Sequence, residues 1–362
     1  MQQNLSIGGR VQLNRFCRQY LQLQLELDYP HAEYLRKDAF QEAIYSTVFD
    51  ESVIEHAPPA RYQLKVLKKL VKNIEQSIQD WEEDGISDNL MNHLSTLLSS
   101  PLPSEAASTQ QKSYVTYTLS SLLPSFSNFK SPPPASPRSP EITPPTTPTS
   151  TSTLVPTITL LESRSLLSAS GTTGLKTWEA SLHLSQYLIS TPLIPSKRIL
   201  ELGSGTASYP SYVPNTSALH TYYAQTGHQT SLNDSSKIDG RVYIWGEDPV
   251  LDGGGDRAEM EKGMLDVDVV IAADVTYDAA GIPALVSTFQ NVFAKNPAVK
   301  ILVAATVRNE RTFAGFLGTC KEYGLGFEEV DFPVVGEREQ EGPFYDDGVE
   351  IKICELKSGG LD

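Results

Sequence analysis

The chain lacks the features that mark membrane, secreted or metal-binding proteins. Its three cysteines, Cys17, Cys320 and Cys354, are far apart and odd in number, which argues against a disulfide framework or a paired-cysteine metal site. No apolar run approaches the roughly 20 residues that cross a bilayer. Arginines at positions 10, 15 and 18 stand where a signal peptide would have its apolar core. We therefore expect a cytoplasmic protein without a bound metal.

Clustered positive charge is also absent. The formal net charge is −15, and no block of lysine and arginine stands out along the 362 residues. Binding to nucleic acid depends on neutralising phosphates, so nucleic acid is excluded as the main partner. Hydrophobic residues make up 40% of the chain, enough for a substantial core. A chain of this length accommodates two domains.

Composition divides the chain into three parts. Residues 1–120 have helical periodicity and predict an α-helical N-terminal domain. Residues 121–157 predict a disordered linker rich in proline, serine and threonine, because positions 124–156 hold 10 prolines in 33 residues. Residues 158–362 alternate apolar strand-like runs with amphipathic segments, the pattern of an α/β domain.

Three helices are predicted in the N-terminal part, at Gln12–Leu27, Arg61–Asp84 and Asp88–Leu98. The middle one has apolar residues at spacings of 3 and 4, ending with Trp81, and two prolines just before its start. Its other face carries Lys65, Lys68, Lys69 and Lys72. That face is either simply solvated or a docking surface for an acidic partner.

A glycine turn follows the first apolar run of the α/β part. The segment 198–206 reads as a short strand ending in Glu201, followed by Gly203 and Gly205. Glycines at the end of a strand let the backbone approach a ligand closely. Ser208 does not fit the dinucleotide fingerprint, and Ser204 lacks the flanking glycines of a nucleophile elbow.

A second motif places polar residues after another buried run. Val267 to Ala273 predicts a buried parallel strand, with Asp274 and Tyr277 just beyond its carboxyl end. Ligands of open α/β sheets bind at that edge. An aspartate after a strand is also a common helix cap, so a structural role for Asp274 stays open.

Two tryptophans complete the set of candidate residues. Trp178 precedes a predicted helix that runs to about Ile189, and Trp245 ends a predicted strand at 241–247. Trp178 either packs in the core or faces a ligand. Trp245 could stack on an adenine ring.

These motifs together resemble the protein-lysine methyltransferases of the seven-strand superfamily, the family 16 methyltransferases, and among them the fungal members that act on elongation factor 2. The resemblance implies a Rossmann-like seven-strand α/β sheet preceded by a small helical domain, with S-adenosyl-L-methionine as cofactor. It implies a monomeric enzyme whose partner is a protein substrate, elongation factor 2, with neither nucleic acid nor membrane as a partner. Asp274 and Tyr277 would be catalytic, facing the substrate lysine. The implied cofactor-binding residues are Trp178, Glu201, Gly203, Ser204, Gly205, Trp245 and Ala273.

One segment departs from the family pattern. Residues 202–233 contain no Asp, Glu, Lys or Arg, and no β-branched run long enough for a strand. The family has there a second strand that ends in an acidic residue, so we expect this strand region to be missing or altered. An alternative function follows, a non-catalytic binding protein that has lost its affinity for the cofactor.

Overall fold

The computed structural model describes residues 5–104, 111–122, 156–163, 176–195, 197–203 and 267–359. The predicted linker at 121–157 lies almost entirely outside these ranges, and so does the uncharged segment after Gly203. No helix within the described ranges is long and apolar enough to cross a membrane.

Five helices form the described N-terminal part: α1 (Ile7–Leu21), α2 (Ala32–Leu35), α3 (Asp38–Val48), α4 (Ala60–Ser77) and α5 (Asp88–Ser99). Their apolar faces share one buried cluster in which Phe16, Tyr20, Phe40, Leu67 and Leu70 are fully enclosed. The predicted helix at Asp88–Leu98 is confirmed. The hydroxyl of Ser87 caps it by accepting the Leu90 N–H at 3.3 Å.

The other two helices end earlier than the sequence predicted. α4 stops at Ser77 because Ile78 has extended backbone angles and the Asp80 carboxylate accepts the Glu82 N–H, which starts a turn. Trp81, predicted in the apolar stripe, is 68% exposed beyond the helix end. α1 begins at Ile7 and ends at Leu21 instead of running to Leu27.

Leu23 explains the end of α1. Its φ is +57°, a left-handed conformation that terminates helices. The N–H of Leu23 donates to the Tyr20 carbonyl and that of Gln24 to the Gln19 carbonyl, each at 3.0 Å, the two bonds of a Schellman motif. A leucine is tolerated there because its side chain is buried among the residues that cover the main sheet.

A two-stranded antiparallel ribbon connects β1 (Ser113–Thr118) with β2 (Thr157–Glu162). β1 lies within the residues that the sequence analysis assigned to the helical part. Its sequence SYVTYT consists almost entirely of aromatic and β-branched residues, a composition that favours strand. Val115, Tyr117 and Leu160 turn their side chains into the core beside the main sheet.

The main sheet has five described strands: β3 (Ile199–Leu202), β4 (Val269–Ala273), β5 (Lys300–Thr306), β6 (Leu325–Glu329) and β7 (Ile351–Ser358). Their spatial order is β3-β4-β5-β7-β6. β3, β4 and β5 are parallel, and β7 is antiparallel to both β5 and β6. Two predicted strands are confirmed. The one predicted to end at Glu201 extends one residue further, and the one predicted at 267–273 begins two residues later.

Helices cover both faces of this sheet, which makes the fold α/β. On one face α6 (Glu179–Ser190) packs against Ile271, Leu302 and Ile353. On the other face α7 (Ile282–Lys295) and α8 (Glu310–Glu322) pack against Val270 and Ile301. Because both faces are covered, the central strands are continuous apolar runs.

The end of α1 docks onto the connection between β6 and β7. The Gln22 side chain accepts the Phe344 N–H at 2.8 Å and donates to the Phe344 carbonyl at 2.5 Å, both in buried surroundings. Arg15 donates to the Glu337 carbonyl at 3.0 Å, and its guanidinium lies 5.3 Å from the centre of the Phe344 ring. The helical part is therefore attached to the sheet by directional bonds as well as apolar contacts.

Candidate active site

Three chain segments meet at the carboxyl edge of the parallel strands. Gly203 follows β3, Asp274 follows β4, and Arg308 lies in the turn after β5. Gly203 has a φ of +75°, which a residue with a side chain adopts only under strain. The Asp274 N–H donates to the Ala304 carbonyl at 2.9 Å, which holds the ends of β4 and β5 together.

Asp274 is the most constrained residue of the site. Its φ is +52°, and its side chain is only 9% exposed. One carboxylate oxygen, Oδ1, accepts the Thr306 N–H at 2.8 Å; the other, Oδ2, accepts the Thr306 hydroxyl at 2.9 Å and the Ala180 N–H at 3.3 Å. The carboxylate thus joins β4, β5 and the first turn of α6.

Burial raises the pKa of the Asp274 carboxyl above its usual range. The hydrogen bonds from Thr306, the nearby Arg308 charge and the Ala180 N–H all act in the opposite direction, and burial outweighs them. A carboxylate with a raised pKa is common at functional sites. The sequence left open whether Asp274 caps a helix. In the structure its carboxylate accepts the Ala180 N–H in the first turn of α6, a helix 94 residues earlier in the chain.

A charged cluster surrounds Trp178, which precedes α6 and is half-buried. Lys176 Nζ and the Arg308 guanidinium carbon each lie 4.9 Å from the ring centre. Glu179 pairs with Lys176 at 3.3 Å and with Arg308. Trp178 is therefore neither enclosed in the core nor isolated at the surface, but forms cation–π contacts beside Asp274.

A buried glutamate at the end of β2 supports this arrangement from behind. Glu162 Oε1 accepts the Tyr117 hydroxyl at 2.7 Å, the Thr177 hydroxyl at 2.6 Å and the Thr177 N–H at 3.2 Å. Glu162 is fully buried. It connects the two-stranded ribbon to Thr177, the residue before Trp178.

Some of the remaining predicted residues lie within the described ranges and some lie outside them. Glu201 and Ala273 line a narrow crevice of about 10 Å³ between α6 and the sheet, together with Ser181 and Leu184. Tyr277 is 57% exposed just beyond Asp274. Ser204, Gly205 and Trp245 lie outside the described residues. No cluster of three or more potential metal ligands occurs in the described part of the chain.

Sequence reasoning missed Arg308, Thr306, Glu179 and Glu162. The signal for the first two was available: the run ILVAAT at 301–306 is an apolar strand, and polar residues at its end reach the same edge as Asp274. Glu162 gave no such signal, because its partners Tyr117 and Thr177 are distant in sequence.

This α/β sheet has a constrained carboxylate and a glycine turn at its carboxyl edge, where ligands of open α/β sheets bind. A model of the lysine methyltransferase family matches residues 233–321. The chain is similar to protein-lysine N-methyltransferase EFM3 of Chaetomium thermophilum, with 41% identity over 359 residues, 96% of this chain and 98% of the relative.

More distant relatives match about half of the chain. Protein-lysine N-methyltransferase EFM3 of Saccharomyces cerevisiae is 29% identical over 203 residues, 46% of this chain and 54% of the relative. Protein-lysine N-methyltransferase EEF2KMT of Homo sapiens is 30% identical over 190 residues, 47% of this chain and 56% of the relative. The chain belongs to the protein-lysine N-methyltransferase family. It is an enzyme that methylates protein lysine residues, and the comparisons do not favour the alternative of a non-catalytic binding protein.

Proposed function

We propose that this enzyme transfers a methyl group from S-adenosyl-L-methionine to a lysine of elongation factor 2 in the cytoplasm, acting as a monomer. The methyl donor, when bound, supplies a methyl group on a positively charged sulfur. Asp274 and Tyr277 would lie on the substrate side. The proposed cofactor side consists of Trp178, Glu201, Gly203, Ser204, Gly205, Trp245 and Ala273.

Asp274 carries this proposal. Oδ1 accepts one hydrogen bond, from Thr306, and the nearest basic atom, Arg308 Nη1, is 3.8 Å away. That distance is too long for a hydrogen bond. A lysine nitrogen that approached Oδ1 would therefore find an acceptor already fixed by β5 and α6. Because hydrogen bonds from neighbouring elements already fix the carboxylate, it loses little conformational freedom when the lysine binds.

The chemistry requires a neutral lysine amine. From an ordinary pKa of about 10.4, deprotonation at pH 7 costs roughly 4.6 kcal/mol. Asp274 would hold the ammonium on arrival and orient the nitrogen lone pair after the proton has left. Tyr277, exposed beside it, would cover the amine and add a cation–π contact.

The described residues fit the proposed cofactor. Gly203 has no side chain to block the approach of a ligand at the end of β3, and its left-handed φ turns the backbone there. Glu201 and Ala273 lie at the carboxyl ends of β3 and β4, two residues before Gly203 and one before Asp274. These residues would contact the amino-acid and ribose portions of the methyl donor.

We also propose that the five described strands are part of a seven-strand methyltransferase sheet. The order β3-β4-β5-β7-β6, with β7 antiparallel, supports this architecture. β3 has β4 on one side and no neighbour on the other among the described residues. The proposed domains remain a helical domain at 1–120, a linker at 121–157 and a methyltransferase domain at 158–362.

The test is mass spectrometry of unmethylated recombinant elongation factor 2 after incubation with the purified chain and the methyl donor. We expect a gain of about 14 Da for each methyl group added to a lysine. With an isotopically labelled donor, the label should appear in elongation factor 2. Transfer to a different protein in a methylation-deficient extract, with none to elongation factor 2, would refute the substrate. Absence of heat on titration with millimolar donor would refute the cofactor.

A further inference from the structure

The charges at the site balance within the described residues. Asp274 and Glu179 are the carboxylates, and Lys176 and Arg308 are the basic groups. The side chains of the two carboxylates are 9% and 19% exposed, so their surroundings are less polar than bulk water. This cluster of four side chains has no net charge while Arg308 is present, and a charge of −1 without it.

Another carboxylate, that of Glu162, is buried behind the cluster, where it accepts hydrogen bonds from Tyr117 and Thr177. The remaining titratable groups nearby are solvated or bonded elsewhere. Tyr277 and Asp278 follow Asp274 and are exposed, as is Glu310 at the start of α8. His183 of α6 is buried, with its ring nitrogens 2.9 Å from the Tyr345 hydroxyl and 3.0 Å from the Phe332 carbonyl. Burial lowers the pKa of His183, which disfavours its charged form.

This balance bears on a difficulty of lysine methylation. A carboxylate that binds a lysine ammonium also stabilises its charged form, which cannot attack a methyl group. A positive charge within about 4–6 Å has the opposite effect and favours the neutral amine. Arg308 is such a charge, since its Nη1 lies 3.8 Å from the oxygen that a lysine would approach. Arginine keeps its charge at every pH relevant here.

We propose that Arg308 supplies the positive charge that favours the neutral form of the substrate lysine while Asp274 orients it. This rests on the proposed function, since it requires a lysine at Asp274. The ammonium proton leaves to water. The nitrogen lone pair then forms the new N–C bond as the donor's C–S bond breaks and its electron pair stays on sulfur. The methylammonium product carries the charge that the donor loses.

The ion pair with Glu179 and the contact with Trp178 keep Arg308 in place for this role. A guanidinium held by two partners has less freedom to swing towards Asp274 and take the position of the substrate. Lys176 continues to pair with Glu179 when Arg308 is replaced, so Glu179 is not left without a counter-charge.

The test compares single-turnover rates of the full chain and Arg308→Gln between pH 7 and pH 10, with saturating methyl donor and elongation factor 2. We expect the rate to rise with pH, with an apparent pKa about one unit higher in the variant. This is the order expected for one unit charge at this distance when water screens it strongly, as it does for Arg308, whose side chain is 44% exposed. The variant should be about tenfold slower at pH 7 and approach the wild-type rate at pH 10. Arg308→Lys should restore most of the rate at pH 7.

A binding measurement provides a second readout. Arg308→Gln should bind unmethylated elongation factor 2 more tightly at pH 7, by up to about tenfold, because the ammonium then meets a cluster of charge −1. Arg311→Gln is the matched control: Arg311 is exposed in α8, and its substitution changes the net charge of the chain equally. It should leave both the rate and the affinity unchanged.

Two results would overturn the inference. A rate that falls by the same factor at every pH would make Arg308 a purely structural residue. An equal shift in Arg311→Gln would point to the overall charge of the enzyme instead of this position. If the wild-type chain transfers no methyl to elongation factor 2 at any pH, the proposed function fails, and the role of Arg308 fails with it.

Discussion

Replacing Asp274 with asparagine and with alanine should separate its structural role from its chemical one. Asparagine matches the volume of aspartate, adopts a left-handed φ as readily, and keeps an oxygen that can accept the Thr306 N–H. Its amide nitrogen can donate to the Thr306 hydroxyl in place of Oδ2. Only the 3.3 Å bond from the Ala180 N–H lacks an acceptor in this variant.

The stability change for asparagine should therefore be small, about 1 kcal/mol or less. The raised pKa of Asp274 means that folding disfavours its charged form compared with the unfolded chain, so removing the charge offsets part of the lost bond. Alanine offers no acceptor to the N–H groups of Thr306 and Ala180 and strains the φ of +52°. It should lose about 2–4 kcal/mol of the free energy of unfolding.

The pH dependence has a definite sign. Because the folded state holds the Asp274 proton more tightly than the unfolded state, this group adds stability at low pH, which is lost as pH rises from the ordinary aspartate pKa through the raised one. This is opposite to the behaviour of a salt-bridged aspartate. Urea unfolding at several pH values gives the free energy of unfolding of both proteins. As pH rises through this window, the value for Asp274→Asn should increase relative to that of the wild type.

Methyl transfer should respond differently from stability. Asp274→Asn should slow single-turnover transfer by roughly 10- to 150-fold, the equivalent of one hydrogen bond to a charged group at about 1.5–3 kcal/mol. Affinity for the methyl donor should change little. An asparagine variant within twofold of the wild-type rate would show that Asp274 only ties β4 to β5 and α6, and the chemical reasoning would be wrong.

Three further outcomes are expected. Gln22→Ala should lower the free energy of unfolding in urea by about 2–4 kcal/mol, since both Phe344 backbone groups lose a buried partner, whereas the exposed control Gln76→Ala should be near neutral. His183→Gln should be less destabilising at pH 5 than at pH 7. Because the pKa of His183 is lowered by folding, the wild type loses stability as pH falls below the pKa of an unfolded histidine. Limited proteolysis should cut first within 124–156, and cleavage confined to the helices would contradict the predicted linker.

The predictions for Gln22 and His183 can each be contradicted by a specific result. Equal losses for Gln22→Ala and Gln76→Ala would mean that the bonds to Phe344 are replaced by water at no cost. A constant difference between His183→Gln and the wild type across pH 5 to 7 would mean that the pKa of His183 is the same in the folded and the unfolded chain. Both would weaken the view that the helical part and α6 are held by buried polar contacts to the β6–β7 connection.

The sequence alone was sufficient to predict the elements that have strong local signals. Short apolar runs bounded by polar residues predict β3 and β4, and the same pattern places Asp274 and Gly203 at strand ends. Parallel strands align their carboxyl ends, so both residues are expected at one edge. Where the local signal was weaker, at the ends of α1 and α4, the predicted boundaries were wrong by several residues, because a turn at Leu23 and another after Ile78 override the apolar periodicity.

Tertiary structure decided how those residues act. The Asp274 carboxylate finds its donors 32 residues ahead at Thr306 and 94 residues back at Ala180, and Gln22 finds Phe344 322 residues away. Periodicity describes which side of an element is apolar, but not which distant element supplies a hydrogen bond. The charge balance around Asp274 has the same origin, because Arg308, Glu179 and Lys176 come together only when α6 packs across the ends of β4 and β5. Sequence thus determined the class of the enzyme and the position of its carboxylate, while packing determined the surroundings that set the charge state of that carboxylate.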